Sequence, residues 1–476
     1  MRPFEILLIL LNSIAFSWLV VARWRALRTA WFLLLSLVSA ALAQFFLEGA
    51  RWQMAPTYAI SLGLCMWLIA ARGRTSARAE TPAPWPRLKR RLGIGLAVFA
   101  LKLATVLPLV VPVFRLPVPS GPYPIGTLTY HLRDLARLEV FTANPDDHRA
   151  LMVQVWYPAK ASESAPRTRY VPDGEALAPL ARLLNLPGFM LTHLKWAATN
   201  GVYSAPISER AATYPVLIFS HGRGGFRQHN TAQIEDLVSH GYVVAAIDHA
   251  YAAAGVDFPD GERASLDPRM LDRRFIDGML PYLAQDVSFT LDQLAAINRV
   301  DPRAVLGGRL NLQQVGVFGV SIGGAVIAEA CLRDAHLKAC LSIDNFMPAS
   351  VVQKGLLQPT MWIGRDVATM QDEGWAQADI EEIQSTVRQA FEGPGRNRYL
   401  LLIPGMFHPN FSDFPYFVRA PFDRWLGLDG PINARRGHAI VNAYALAFFD
   451  RHLRGAAPLL DRLNAQYPEV SFERRN

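Results

Sequence analysis

Four short stretches of this sequence carry residues that can perform nucleophilic chemistry together. The first is Gly319-Val320-Ser321-Ile322-Gly323, a Gly-x-Ser-x-Gly motif. It follows an apolar, β-branched run and precedes a helix-forming stretch over 325–332. A serine on a sharp strand-to-helix turn has its hydroxyl pushed out at the tip of a sheet, and the flanking glycines have no Cβ to collide with their neighbours. The helix N-terminus beneath it favours negative charge developing there. A glycine-rich turn of a nucleotide-binding sheet is the competing reading. A serine hydroxyl is weak until a base takes its proton. The second stretch supplies that base: His408, in a loop directly after the apolar run 399–403. Of the eleven histidines, His438 also follows the serine but has no apolar strand before it, and His221 and His249 precede the serine. The third element is a carboxylate to orient the histidine. Asp344 and Asp366 each end an apolar run after Ser321, and spacing alone leaves both open. The fourth is Ser220-His221-Gly222-Arg223-Gly224-Gly225, whose small residues let backbone approach a substrate oxygen. The amides of Arg223 and Ile322 are the expected donors to a tetrahedral anion.

The elements that must hold these groups are legible as a rhythm. Apolar runs at 215–220, 242–247, 314–320, 339–343, 360–364 and 399–403 alternate with helical stretches such as 231–239 and 284–298. Strands at 125–131 and 151–157 come first. Strand–helix alternation predicts an α/β fold with a mainly parallel sheet covered on both faces. Ligands in such sheets bind at the carboxyl ends of the strands, where all four stretches fall. In the α/β-hydrolase order of serine, acid and histidine, the histidine occupies the loop that His408 occupies. No His-Glu-x-x-His, paired Cys-x-x-Cys or P-loop is present, so no metal and no cofactor is expected.

The chain has 476 residues, 51% of them hydrophobic, and a net charge of +8. Its mean hydropathy is +0.14. The excess of arginine has a use other than nucleic-acid binding, because it sits between apolar segments. Four segments, 4–22, 30–47, 54–71 and 92–114, each approach the roughly 20 residues that cross a bilayer core. Trp18, Trp24, Trp31, Trp52 and Trp67 lie at or near their ends, as interfacial aromatics do. Ala41-Leu42-Ala43 resembles a cleavage site, but further spanning segments follow, so a four-helix anchor over 1–114 is expected. The first loop carries Arg23, Arg25 and Arg28. The third carries Arg72, Arg74, Arg78, Arg87, Lys89, Arg90 and Arg91 against Glu80. The positive-inside rule puts both loops in the cytoplasm and the remainder of the chain outside. Lys102 sits inside the fourth segment, where a charge is costly, and Pro108 and Pro112 predict a kink or an early end. A proline-rich linker over 115–124 leads into a domain over 125–476. Within it, 176–203 reads as short apolar helices, either packed on the sheet or forming a cap against an acyl chain or lipid. Cys65 lies in an apolar segment; Cys331 and Cys340 read as buried small residues rather than a disulfide.

Over about 121–455 the chain resembles the plasma-type platelet-activating factor acetylhydrolase family. The blocks that carry the resemblance are Gly121-Pro122-Tyr123-Pro124-Ile125-Gly126, Val155-Trp156-Tyr157-Pro158, the run from Tyr214 to Gly222, the run from Ser239 to His249, and His408-Pro409-Asn410-Phe411-Ser412-Asp413-Phe414. The resemblance implies an α/β-hydrolase fold, calcium-independent serine catalysis, and cleavage of short or oxidised sn-2 acyl chains from phospholipids. It also implies Asp344, in Ile343-Asp344-Asn345-Phe346-Met347-Pro348, as the acid, with Asp366 as the alternative. Two residues depart from the family pattern: Val320 stands where a histidine is usual, and Arg223 where an apolar residue is usual. The expected protein is a membrane-embedded serine ester hydrolase acting on a small-molecule or lipid ester, with no nucleic-acid partner. A dienelactone- or polyester-hydrolase-like enzyme on non-lipid esters, and a catalytically silent membrane sensor on the same scaffold, are the two other readings.

Overall fold

A computed structural model of the protein describes residues 1–21, 27–76, 87–171, 177–457 and 459–476. The chain divides into two compact units, Met1–Phe114 with Phe417–Phe422, and Arg115–Tyr416 with Asp423–Asn476. The sequence assigned all of 125–476 to one domain. The short piece 417–422 instead groups with the first unit, where Arg419 N–H donates to Val110 O at 2.8 Å and Phe417 stacks on Phe114 at 5.4 Å.

The first unit contains helices Pro3–Val21, Leu27–Ala43, Ala55–Ser76 and Arg87–Val110. Among the described residues, four stretches are long and apolar enough to cross a membrane: Pro3–Val20, Thr29–Glu48, Trp52–Ala70 and Arg91–Val110. The last helix stops at Val110 rather than at 114, because Pro112 has no N–H to continue it. Pro108 is carried inside that helix. The second helix continues as one wide turn, Gln44–Glu48. Lys102 is exposed on the last helix and does not turn toward the other three. One fully buried ion pair fastens the helix ends. Arg51 donates to both Glu5 oxygens at 2.7 and 2.8 Å, and to the carbonyls of Val111 and Pro108 at 2.6 and 3.1 Å. Those carbonyls belong to a helix terminus that has no partners of its own. Several loop charges behind the expected orientation, Arg23, Arg25, Arg78 and Glu80, lie outside the described residues.

The second unit is built on a ten-stranded sheet in the order β12-β11-β10-β9-β8-β4-β5-β2-β1-β3. The strands are β1 Ile125–Leu138, β2 His148–Pro158, β3 Gly201–Tyr203, β4 Tyr214–Ser220, β5 Val243–Asp248, β8 Leu310–Val320, β9 Leu337–Ile343, β10 Thr360–Gly364, β11 Arg398–Leu402 and β12 Ser471–Arg475. A separate ribbon pairs β6 Gly255–Asp257 with β7 Arg263–Ser265. The run from β5 through β4, β8, β9 and β10 to β11 is parallel throughout. β2 is antiparallel to both β1 and β5, and β12 closes the far edge antiparallel to β11.

Alternation along the strands splits the core into two layers. Val216, Ile218, Val243, Ala245, Val315 and Val317 join the cluster of the long helix Arg273–Arg299 and of Ile322–Arg333. Their neighbours Leu217, Phe219, Val244, Ala246 and Phe318 join the opposite cluster, with helices Thr231–Ser239 and Ala434–Arg454. Every residue of β4 and β5 is buried, so these strands read as unbroken apolar runs. The helix expected at 284–298 starts earlier, at Arg273, because Asp272 caps it by accepting from Phe275 N–H. In the stretch 176–203, Ala178–Leu183 is helical and Gly188–Trp196 forms 3₁₀ turns, as short helices were expected. Its last residues instead form β3, which pairs parallel to β1 at the sheet edge. Ala176 lies outside the described residues.

Candidate active site

Ser321 sits at the turn between β8 and helix Ile322–Arg333, with φ 57° and ψ −132°. This is an unfavourable region for a residue with a Cβ, and it persists only where the surroundings hold it. They do so here through close packing. A Cβ on Gly319 would lie 2.4 Å from Gly323 O, and one on Gly323 would lie 2.1 Å from Ser220 O. Only glycine fits at either position, which explains the motif. Ser321 N–H donates to Ile343 O at 2.8 Å, tying the turn to the neighbouring strand.

His408 opens a 3₁₀ turn, His408–Phe411, in the loop after β11. Asn410 shapes that loop: its Oδ1 accepts from Phe407 N–H at 2.8 Å and Gly430 N–H at 3.0 Å, and its Nδ2 donates to Asp429 at 2.6 Å. The ring lies with Nε2 3.1 Å from Ser321 Oγ and Nδ1 2.5 Å from Asp344 Oδ2. A carboxylate only accepts, so Nδ1 carries the proton and Nε2 is free to accept from the serine. The histidine side chain is 27% exposed, while that of Asp344 is 1% exposed.

Asp344 follows β9 at φ 47°, a left-handed conformation that aspartate tolerates better than most residues. Burial alone would push its carboxyl up. The Arg365 guanidinium and the His408 bond outweigh that and hold it below its ordinary value. Arg365 Nε is 3.0 Å from Asp344 Oδ1 and 2.9 Å from Oδ2. Arg365 also pairs with Glu373, whose carboxylate accepts the His408 backbone N–H at 3.0 and 3.2 Å. The guanidinium lies 4.4 Å over the Trp375 ring, and Trp375 meets the His408 ring edge-on at 5.4 Å. Arg365, Glu373 and Trp375 thus grip the histidine and its carboxylate from one side. Nothing in the spacing of the sequence marks these three; Arg365 is visible only as the neighbour of Asp366. Asp366 itself is turned away from the histidine: it caps helix Val367–Asp372, accepting from Thr369 N–H at 2.8 Å.

The loop 220–225 wraps beside Ser321. A Cβ on Gly222 would lie 3.1 Å from Ser321 Cβ and 3.6 Å from its Oγ. Within the loop Gly224 N–H is committed to Ala252 O at 3.1 Å, and Gly225 N–H to Gly222 O at 2.9 Å. The Arg223 side chain points to solvent. Leu183, from the apolar insertion, lies over the loop, with its Cδ2 2.6 Å from where a Gly224 Cβ would stand, and Leu266 Cδ2 is 3.6 Å from the same point. Val320 is buried. His438, the competing histidine, is tied to Tyr416 Oη at 2.7 Å and Asn410 O at 2.9 Å. His221, within the loop, accepts from His249 N–H at 3.3 Å.

A mainly parallel sheet that presents a serine on a strand-to-helix turn, against a histidine and an aspartate, is the arrangement of a carboxylic ester hydrolase of the α/β type. The chain belongs to the platelet-activating factor acetylhydrolase, isoform II, family, whose profile matches residues 110–266 and 297–460. It is 24% identical over 364 residues to platelet-activating factor acetylhydrolase of Cavia porcellus, covering 71% of this chain and 78% of that protein. It is 26% identical over 390 residues to a probable 1-alkyl-2-acetylglycerophosphocholine esterase of Arthroderma benhamiae, covering 75% of this chain and 94% of that protein. Among solved structures, ferulic acid esterase from Streptomyces cinnamoneus superposes with a TM-score of 0.61 at 30% identity, over 76% of this chain and 99% of that one.

Proposed function

We propose that this chain is a membrane-anchored serine ester hydrolase that cleaves short or oxidised sn-2 acyl esters of phospholipids without calcium. The observation that carries the reading is the bonded series from Ser321 Oγ through His408 to Asp344, at 3.1 and 2.5 Å. Ser321 Oγ attacks the ester carbonyl as His408 Nε2 takes its proton. Asp344, kept anionic by Arg365, stabilises the imidazolium and holds its tautomer. The N–H groups of Arg223 and Ile322 receive the charge that develops on the carbonyl oxygen. His408 returns the proton to the departing alcohol, leaving an acyl-serine. Water, activated by the same nitrogen, then releases the acid and restores Ser321.

Leu183 and Leu266 pack over Gly224 of the glycine-rich loop, and this apolar cover is assigned to the acyl side of the site. The four apolar helices serve as a multi-pass anchor, and the hydrolase unit faces away from the cytoplasm. The test is hydrolysis of sn-2 acetyl against sn-2 long-chain phosphatidylcholine by the purified protein, with Ser321→Ala as control. Fast cleavage of the acetyl lipid, slow cleavage of the long-chain one and a dead variant are the expected results. Cleavage of soluble aryl esters with neither lipid touched would move the substrate to the second reading, a non-lipid esterase. That reading is favoured by the likeness to the ferulic acid esterase, which spans nearly all of that chain.

A further inference from the structure

Beneath the proposed oxyanion loop lies a second serine–histidine–aspartate series, one the reaction does not use. Ser220, the last residue of β4, has its Oγ 2.8 Å from His249 Nε2. His249, just past β5, has Nδ1 2.8 Å from Asp286 Oδ2 on helix Arg273–Arg299. All three residues are buried, with Ser220 and Asp286 at 0% exposure. Asp286 is itself anchored. It accepts from Arg149 at 2.6 and 3.1 Å and from Arg137 at 2.7 Å, and Arg149 continues to Glu139 and to Ala250 O, each at 3.0 Å. Asp286 accepts only, so His249 Nδ1 holds a proton and Nε2 accepts the Ser220 hydroxyl.

A side branch reaches the next residue. His249 N–H donates to His221 Nε2 at 3.3 Å, while His221 Nδ1 donates to Gly222 O at 2.7 Å. One tautomer of His221 satisfies both bonds. Ser220 and His221, three and two residues before Arg223, are therefore each tied to His249, and Gly222 between them and Arg223 is held by His221. Ser220 O also presses on Gly323 of the serine turn. Ser220 has no open face for an ester, so this series cannot act as a second hydrolytic centre.

We infer that Ser220, His249 and Asp286 are positioning residues that set the Arg223 amide for the transition-state oxyanion, acting through the loop backbone. The inference rests on the proposed serine-esterase reading. A donor that meets the oxygen only in the transition state changes kcat and leaves KM in place. The test compares wild type, Ser220→Ala, His249→Gln and Ser321→Ala on an aryl acetate, together with inhibition by an aryl trifluoromethyl ketone. That inhibitor forms a tetrahedral oxyanion on the serine. Thermal melts ensure that every rate is read on folded protein. Ser220→Ala removes one oxygen and carries the test if His249→Gln does not fold. A loosened donor predicts roughly 10- to 100-fold loss in kcat, KM within about 2-fold, and a parallel loss of ketone affinity. A folded Ser220→Ala with kcat and ketone affinity within about 2-fold of wild type overturns the positioning role, even if its melting temperature falls. An active Ser321→Ala overturns the esterase reading instead, so the two failures are told apart.

Discussion

Asp344 and Asp366 look alike in sequence, each an aspartate ending a strand after the serine, and the fold gives them different work. Asp344 takes His408 Nδ1 and two contacts from Arg365, whereas Asp366 caps a six-residue helix. Asp344→Asn presents the wrong partner to the ring and leaves Arg365 without its carboxylate. It is expected to lower kcat by roughly a hundred- to ten-thousand-fold with KM little changed. Asp366→Ala is expected to keep kcat and to lose about 1 kcal/mol of stability, the usual cost of an N-cap. Steady-state kinetics and melting curves on the two variants check this; a reversed pattern would exchange their roles. At this scale the sequence singled out Ser321, His408 and, through its resemblance, Asp344, three side chains that the fold brings together. It carried no sign of Arg365, Glu373 or Trp375. Their roles arise from side chains converging after the strands have been set side by side, and no fixed spacing encodes that.

At the scale of elements, the buried strands were legible because residues covered on both faces must be apolar. The edges were not. β12 is Ser471-Phe472-Glu473-Arg474-Arg475, a charged edge strand with one face in water and little apolar pattern to read. β3 was hidden for a related reason: three residues at the end of an apolar insertion become a strand only by pairing with β1. The insertion is pinned to helix Thr231–Ser239 by Glu235. Its carboxylate accepts from Asn200 N–H at 2.9 Å, Asn200 Nδ2 at 2.8 Å and Gly201 N–H at 3.0 Å. Burial pushes the Glu235 carboxyl up from 4.5 to about 7, and the bonds from Asn200 and Gly201 offset only part of that. The sign follows. Between pH 4.5 and 7 the folded state holds a proton that the unfolded state has lost, so stability falls as pH rises through this window and levels off above it. The shift corresponds to about 3 kcal/mol. Glu235→Gln cannot titrate, and its stability is expected to be lower at pH 5 but flatter from pH 5 to 8. Melting temperatures across that range measure the slope. An unchanged slope would assign the pH dependence to other groups.

For the whole molecule, the two units distribute apolar residues in opposite ways. The hydrolase unit buries apolar strands between two layers of helices. The first unit does the reverse, keeping its Glu5–Arg51 pair at 0% exposure and turning apolar residues such as Phe32, Phe46 and Leu96 outward. Such an inversion suits a lipid environment, where a buried charge needs its partner and the outer surface needs none. Lys102 is the exception, a charged residue exposed on the last helix. Helix number and approximate ends were readable from hydropathy, while the stop at Val110 depended on Pro112. The most direct measurement is covalent labelling by a membrane-impermeant fluorophosphonate, on intact cells and on detergent-solubilised protein, with the adduct located by mass spectrometry. One adduct is expected, on Ser321, formed in both samples and lost in His408→Ala. Labelling of Ser321 only after solubilisation would contradict the outward orientation alone. Solubilised, folded protein that carries no adduct on Ser321 would contradict the catalytic assignment itself.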